Sequence, residues 1–75
     1  MKAVSKEYVQ QITVDFLKKK KNTEEIHVAS VERMDGVWVI SGTSPIDVQG
    51  HPWTEKFEVR VDPKGKIKST YFSLL

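Results

Sequence analysis

The chain has 75 residues and no cysteine, and its 12 Lys and Arg against 10 Asp and Glu give a formal net charge of +2. This length allows one domain, residues 1–75. The missing cysteines exclude a disulfide framework, a thiol nucleophile and a Cys-based zinc site. No apolar run approaches the ~18 residues of a membrane span, and residues 1–6 lack the apolar stretch of a signal peptide. We therefore expect a cytoplasmic globular domain with no membrane contact.

The N-terminal third predicts one amphipathic helix over residues 4–21. Apolar residues recur there at steps of three, four and one, which places them on one stripe of a helix with 3.6 residues per turn. The stripe consists of Val4, Tyr8, Val9, Ile12, Phe16 and Leu17. Four lysines at 18–21 suit the negative end of the helix dipole, and we expect Asn22 to be the C-cap.

From residue 26 onward the hydrophobic period becomes two, and turn signals divide the chain into four strands. The Asp-Gly pair at 35–36 predicts a two-residue type I′ loop. The Asp-Pro-Lys-Gly segment at 62–65 predicts a turn with a bulge at Gly65. The Gln-Gly pair at 49–50 predicts a third turn, and Pro52 is expected to start a strand because it has no N–H to donate.

The three turns determine how neighbouring strands align, and residues directly opposite each other share a face of the sheet. The predicted pairs are Val31 with Ile40, Ala29 with Gly42, Gly42 with Phe57, Ile46 with Trp53, Val61 with Ile67, Val59 with Ser69 and Phe57 with Tyr71. This alignment gathers the bulky residues on one face. The predicted fold class is α+β: a four-stranded antiparallel meander in the order 1-2-3-4, with the N-terminal helix packed on one face. The helix is expected to contribute Val4, Tyr8, Ile12 and Phe16 to the core.

The opposite face of the predicted sheet carries an apolar area on strands one and two. Its members are Val28, Met34, Val37 and Val39, joined by Phe72 from strand four. Scattered valines also follow from strand propensity alone. We nevertheless hypothesise that these five residues form an interaction patch. We expect the domain to form a homodimer or to bind a protein partner through this face or through the edge of the first strand.

Strands three and four are basic. Residues 56–68 hold five basic and two acidic residues, and a nucleic-acid site needs such charge together with exposed aromatic rings that stack on bases. Because Phe72 is the only strand aromatic expected to be exposed, a solvated charged face is the favoured interpretation. Weak nucleic-acid binding is kept as an alternative, through Lys56, Arg60, Lys66 and Lys68.

The two histidines predict no catalysis. His27 and His51 lack the spaced partners of metal motifs and the neighbouring group that general acid–base chemistry needs. We expect no catalytic residue, no metal and no cofactor. A second alternative is small-molecule binding or catalysis in a pocket between helix and sheet near Trp53 and His51, for which Trp38 and Tyr71 would supply the remaining wall. Core packing is the favoured role for these aromatic residues.

The chain resembles cystatin-like α+β modules, including small PepSY-type domains, in its order of one helix and four antiparallel strands. Residues 35–42 (DGVWVISG) and 57–67 (FEVRVDPKGKI) are similar to the W-x-V…V-D-x-x-G-x-I rhythm of PepSY-type repeats. This resemblance implies a non-catalytic binding, regulatory or inhibitory module. The chain lacks the Gln-x-Val-x-Gly loop of cystatin-type inhibitors, so protease inhibition is not expected.

Overall fold

A computed structural model describes residues 4–75 as one helix followed by four strands. Their bounds are α1 (Lys6–Lys21), β1 (His27–Met34), β2 (Val37–Val48), β3 (His51–Val61) and β4 (Ile67–Leu74). The strands form one antiparallel sheet in the order β1-β2-β3-β4, which confirms the predicted α+β meander. Residues 1–3, which belong to the predicted domain and to the segment compared with a signal peptide, lie outside the described residues.

The helix begins two residues later than predicted because Ser5 caps it. The Ser5 hydroxyl accepts a hydrogen bond from the Tyr8 N–H at 3.1 Å, which gives one free N–H of the first turn a partner. At the other end Asn22 adopts a left-handed φ of 53° and its N–H donates to the Lys18 carbonyl, so the predicted C-cap is confirmed. In the part of the chain that the structure describes, no helix has the length and apolar character needed to cross a bilayer.

The three turns form where the sequence predicts them. The loop residues at 35–36 have φ of 52° and 78°, and those at 49–50 have φ of 51° and 83°, as a type I′ loop requires. Gly65 has a φ of 89°, and its N–H donates to the Asp62 carbonyl at 3.0 Å. β2 and β3 then pair without irregularity along their whole length, which confirms the predicted register of that hairpin.

A β-bulge in β1 changes which residues face the helix. Ser30 lies opposite Ser41 and Val28 lies opposite Gly42, so Ala29 is an extra residue without a partner. The predicted pairing of Ala29 with Gly42 is therefore wrong. The extra residue turns Val28 to the inner face, the side of the sheet that α1 covers, where it packs partly buried against the core.

A second bulge lies in β4, and the sequence does not predict it. Val61 lies opposite Ile67 as predicted, but Arg60 lies opposite Ser69, so Lys68 is the extra residue. Every residue of β4 beyond Lys68 is consequently on the opposite face from the one predicted.

The β4 bulge exchanges two aromatic residues between the faces. Val59 lies opposite Thr70 and Phe57 lies opposite Phe72, so the predicted pairs with Ser69 and Tyr71 are wrong. Phe72 packs partly buried against the core on the inner face. Tyr71 is 59% exposed on the outer face, the side of the sheet away from α1.

The core lies between α1 and the inner face of the sheet. Its fully buried apolar residues are Val9, Leu17, Ile40, Phe57, Val59 and Val61. The most buried line of the helix runs through Val9, Thr13 and Leu17 at a spacing of four, and Thr13 is a polar residue that the hydrophobic pattern does not include. Tyr8 lies at the border of this line and is half-exposed, so it is not the core residue that the sequence predicts.

β2 and β3 extend beyond the other two strands. Pairing with β1 ends at Thr43, and pairing with β4 ends at Glu55. Residues 45–54, here called the arm, therefore form a two-stranded hairpin that projects from the four-stranded body. The molecule is accordingly 47 Å long and only 20 × 17 Å across.

Gly42 lies on the inner face where backbone and ring leave no space for a side chain. A Cβ at this position would be 2.0 Å from the His27 carbonyl oxygen and 2.7 Å from the ring of Phe57. The absence of a side chain at this position thus makes room for the Phe57 ring opposite it.

We expect Gly42→Ala to lower the free energy of unfolding by about 2–3 kcal/mol, because the added methyl group must displace backbone or the buried ring. Urea denaturation followed by circular dichroism measures this difference. Ser41→Ala is the matched control: it changes the adjacent residue on the other face and should shift stability by less than about 0.5 kcal/mol. Equal stability of the two variants would contradict the close approach at Gly42.

Candidate binding surface on the outer sheet face

Three of the five predicted patch residues lie together on the outer face. Met34 is opposite Val37, and Val39 follows two residues further along the same face of β2. Met34 is 56% exposed, and both valines are partly exposed. We call these three residues the corner patch, because they lie where β1 and β2 meet at the end of the sheet away from the arm.

The other two predicted patch residues, Val28 and Phe72, do not lie on this face. Both pack against the buried core from the inner face. The cause is the same at each site. A bulge residue lies between the turn and the predicted patch residue, Ala29 before Val28 and Lys68 before Phe72, and it reverses the alternation of side chains. The apolar patch in the structure is therefore smaller than the predicted one and is confined to one corner of the sheet.

Polar and charged side chains border the corner patch on the side of β3 and β4. The corner patch and its polar neighbours line a shallow groove of about 380 Å³. The polar residues of this groove are Arg60, Lys68 and Ser69, together with Asp35 of the β1–β2 turn. Arg60 lies opposite Val39 in the sheet, and its guanidinium contacts the Glu58 carboxylate at 3.2 Å. Ser69 lies on this face because the bulge at Lys68 reverses the alternation of side chains beyond it. The corner thus combines exposed apolar side chains with two cations.

The four residues of the predicted basic surface do not form one patch. Arg60 and Lys68 border the corner groove. Lys56 lies further along β3, where it lines a second groove of about 390 Å³ with Tyr71. Lys66 belongs to the turn before β4, and its backbone N–H donates to the Asp62 carboxylate.

Tyr71 occupies the exposed aromatic position that the sequence predicts for Phe72. Its ring centre lies 5.9 Å from the Arg60 guanidinium, and it shares its groove with Lys56 and Ser73. An exposed aromatic ring between two cations has the chemistry that a stacked base requires. The sequence does not predict the exposure of Tyr71, because no turn signal marks the bulge at Lys68.

The turn before β4 is held together by one carboxylate. Asp62 Oδ1 accepts hydrogen bonds from the N–H groups of Lys64 and Lys66, each at 2.9 Å. The Lys66 N–H is the main cause that holds the pKa of Asp62 below its ordinary value of 3.8, whereas partial desolvation opposes the shift. The Lys64 N–H and the charges of Lys68 and Lys66 also lower this pKa. Asp62 therefore positions the segment that carries Lys68 to the corner groove.

A second charged contact lies at the opposite end of the inner face. Lys21, the last residue of α1, forms an ion pair with Glu55 of β3, and its Nζ lies 4.3 Å from the centre of the Phe72 ring. Burial, followed by the charge of Lys20, lowers the pKa of Lys21. The contact joins the end of the helix to the base of the arm, and no sequence motif predicts it.

The four residues named for the predicted pocket near Trp53 and His51 do not lie together. Both residues lie on the arm beyond the end of α1, where Trp53 is half-exposed and His51 is exposed. Trp38 lies at the other end of the sheet, opposite Val61, and Tyr71 is on the outer face. Among residues 4–75, no group of three His, Asp or Glu side chains is placed to hold a metal ion.

A scan of protein-family models, a search of curated proteins and a search of solved structures each found no match for this chain.

Asp62 predicts a specific acid dependence of stability. Because its pKa is lowered in the folded state, the ionised carboxylate stabilises the fold above the unfolded-state value and loses this effect as the pH falls through the folded-state value. We expect Asp62→Asn to be less stable than the wild type at pH 6 and the difference to shrink as the pH falls below about 3.8. Thermal denaturation between pH 2 and pH 6 measures it, and a constant difference would contradict the role of the charge.

Proposed function

We propose that this domain is a non-catalytic binding module that recognises its partner through the corner patch and the cations beside it. The observation that supports the proposal is the juxtaposition of Met34, Val37 and Val39 with Arg60 and Lys68 around one open groove. Apolar contact and charge-assisted hydrogen bonds are the two elements of a small recognition site. The ligand that fits is a protein segment carrying an apolar side chain next to a carboxylate.

The remaining titratable groups support a binding role over catalysis. The two groups with a shifted pKa, Lys21 and Asp62, have structural partners: one joins the helix to β3 and the other holds a turn. His27 and His51 lie at different positions along the sheet, His27 opposite Thr43 of β2 and His51 on the arm. A cytoplasmic location is part of this proposal and is compatible with a chain that contains no cysteine.

The side-chain face is a better binding surface than the edge of β1. Both edge strands of the sheet, β1 and β4, carry a bulge, at Ala29 and at Lys68. Bulges interrupt the regular row of backbone groups that an added strand needs for pairing. The proposal therefore uses side chains of the outer face. A non-catalytic role also agrees with the resemblance to cystatin-like and PepSY-type modules, which stays part of the proposal.

A matched pair of small probes tests the chemistry of the corner groove. In ¹H–¹⁵N spectra we expect 3-phenylpropionate to shift the amide signals of Val37, Val39 and Ser69, because its ring covers the patch and its carboxylate meets the cations. The amine of the same shape, 3-phenylpropylamine, should cause shifts at least fivefold smaller at the same millimolar concentration.

The double variant Arg60→Ala/Lys68→Ala is expected to remove the preference for the carboxylate probe. The control is Lys19→Ala/Lys20→Ala, which removes the same charge from the far end of the molecule and should leave the preference unchanged. Equal shifts from both probes, or shifts located away from the corner, would count against the proposal.

Nucleic-acid binding is a second candidate function because the structure places Tyr71 outward between Lys56 and Arg60. This is the exposed aromatic ring that single-strand binding requires beside basic residues. The Glu58 carboxylate, which is bound to Arg60, reduces the positive charge of this surface. The corner patch consequently remains the first proposal.

For this candidate we expect weak binding of a fluorescein-labelled oligodeoxythymidine in 50 mM salt, and loss of binding as the salt rises. Tyr71→Ala should weaken it about 5- to 100-fold, the effect of removing one stacked base. Tyr8→Ala is the control, since Tyr8 is also half-exposed but belongs to the helix. Fluorescence anisotropy measures both; no binding, or equal loss in the two variants, would eliminate this function.

A further inference from the structure

The arm carries an apolar surface that the helix does not cover. α1 ends at Lys21, which pairs with Glu55 at the base of the arm. Beyond Glu55, towards the tip of the arm, the inner face of the sheet continues through Ile46 and Trp53, which lie opposite each other. Trp53 is 50% exposed. The sheet therefore continues past the layer that packs on it.

The C-terminal residues extend this apolar surface sideways. Leu74 lies opposite Glu55, and the Leu75 N–H donates to the Thr54 carbonyl at 3.1 Å. The two leucines are 55% and 66% exposed. With Ile46, Val48 and Trp53 they leave roughly 400 Å² of apolar surface per molecule, since a large side chain buries about 150–250 Å² when fully covered. This is comparable to the largest patch on a typical monomer, about 300–600 Å².

The charges around this surface are balanced. Lys20 and Lys21 line a groove with Ile46 and Asp47, and Glu55 is the ion-pair partner of Lys21. Because Lys21 pairs with Glu55, one cation and one anion, Lys20 and Asp47, have no ion pair to residues 4–75. A polyanion or an anionic bilayer is best matched by a surface of one sign. Balanced charge suits an identical surface instead.

Two prolines determine how an identical molecule could approach. Pro45 and Pro52 lie in the two strands of the arm, where neither can donate a backbone hydrogen bond to an added strand. The arm edges are thereby protected against strand pairing. Contact between two copies must use the side chains of the inner face.

We propose that the chain forms a two-fold symmetric dimer in which the inner faces of two arms pack together, with Trp53 at the centre. The proposal goes beyond the corner patch and uses a separate surface at the other end of the molecule. Two copies would bury roughly 800 Å² of apolar surface, and the charged rim adds to the total. Because stable interfaces start near about 1,000 Å², the dimer is weak and depends on protein concentration.

Sedimentation equilibrium of the full chain between 5 and 500 µM tests the dimer. The expected mass rises with concentration from 8.6 kDa to twice that value. Trp53→Ser should lower the association constant at least tenfold, since central tryptophans contribute most to such interfaces. Met34→Ser is the matched control: it removes an equally exposed apolar side chain from the opposite end and should leave association unchanged. Far-UV circular dichroism confirms that both variants are folded.

Four results would overturn the proposal. The first is a monomer mass at 500 µM, and the second is a mass that grows without limit beyond the dimer. The third is a dimer that Met34→Ser disrupts and Trp53→Ser does not, which would place the interface at the corner patch. The fourth is a monomer that co-sediments with phosphatidylglycerol vesicles only when Trp53 is present, which would make a membrane the occupant of the arm.

Discussion

Side chains alternate between the two faces of a β-strand, so one extra residue exchanges the faces of everything beyond it. Two such residues, Ala29 and Lys68, decide what this sheet presents on each side. In a regular ladder, Val28 and Phe72 would lie outside and Tyr71 would lie under the helix. The bulges instead complete the core with the first two and expose the tyrosine. Both the packing of the helix and the chemistry of the outer face thus depend on two exposed residues that themselves contribute nothing to the core.

The backbone of the sheet is poorly suited to recognition, and this directs binding to side chains. Each edge strand of the sheet contains a bulge, and each strand of the arm contains a proline, Pro45 or Pro52. These features protect strand edges against pairing with other chains. The corner patch and the arm lie at opposite ends of a molecule 47 Å long. A dimer formed through the arms would therefore leave two corner grooves free, and two linked sites bind a divalent partner more tightly than one.

The sequence predicts the elements and the two-residue loops because each depends on local chemistry. Positive φ at 35–36 and 49–50 follows from the residues that occupy those loops. The bulges have no such local signal. Tyr71 and Phe72 are adjacent and both are large and aromatic, so either satisfies the hydrophobic pattern of a core position, and the pattern cannot choose between them. The sequence places the valines, Met34, Arg60 and Lys68 on the outer face, but not Ser69, which reaches the corner groove only through the bulge.

The arm follows from a difference in length between helix and hairpin. The 16 residues of α1 span about 24 Å, whereas the 12 residues of β2 span about 40 Å. The helix stops because Asn22 adopts a left-handed cap, and four lysines precede that cap. An apolar sheet face continues past the point where the helix ends, so the exposure of Trp53 is a consequence of where the cap lies. In a chain of 75 residues, a core this small would gain from association with a second copy, and the arm is the part of the sheet that has no layer packed on either face.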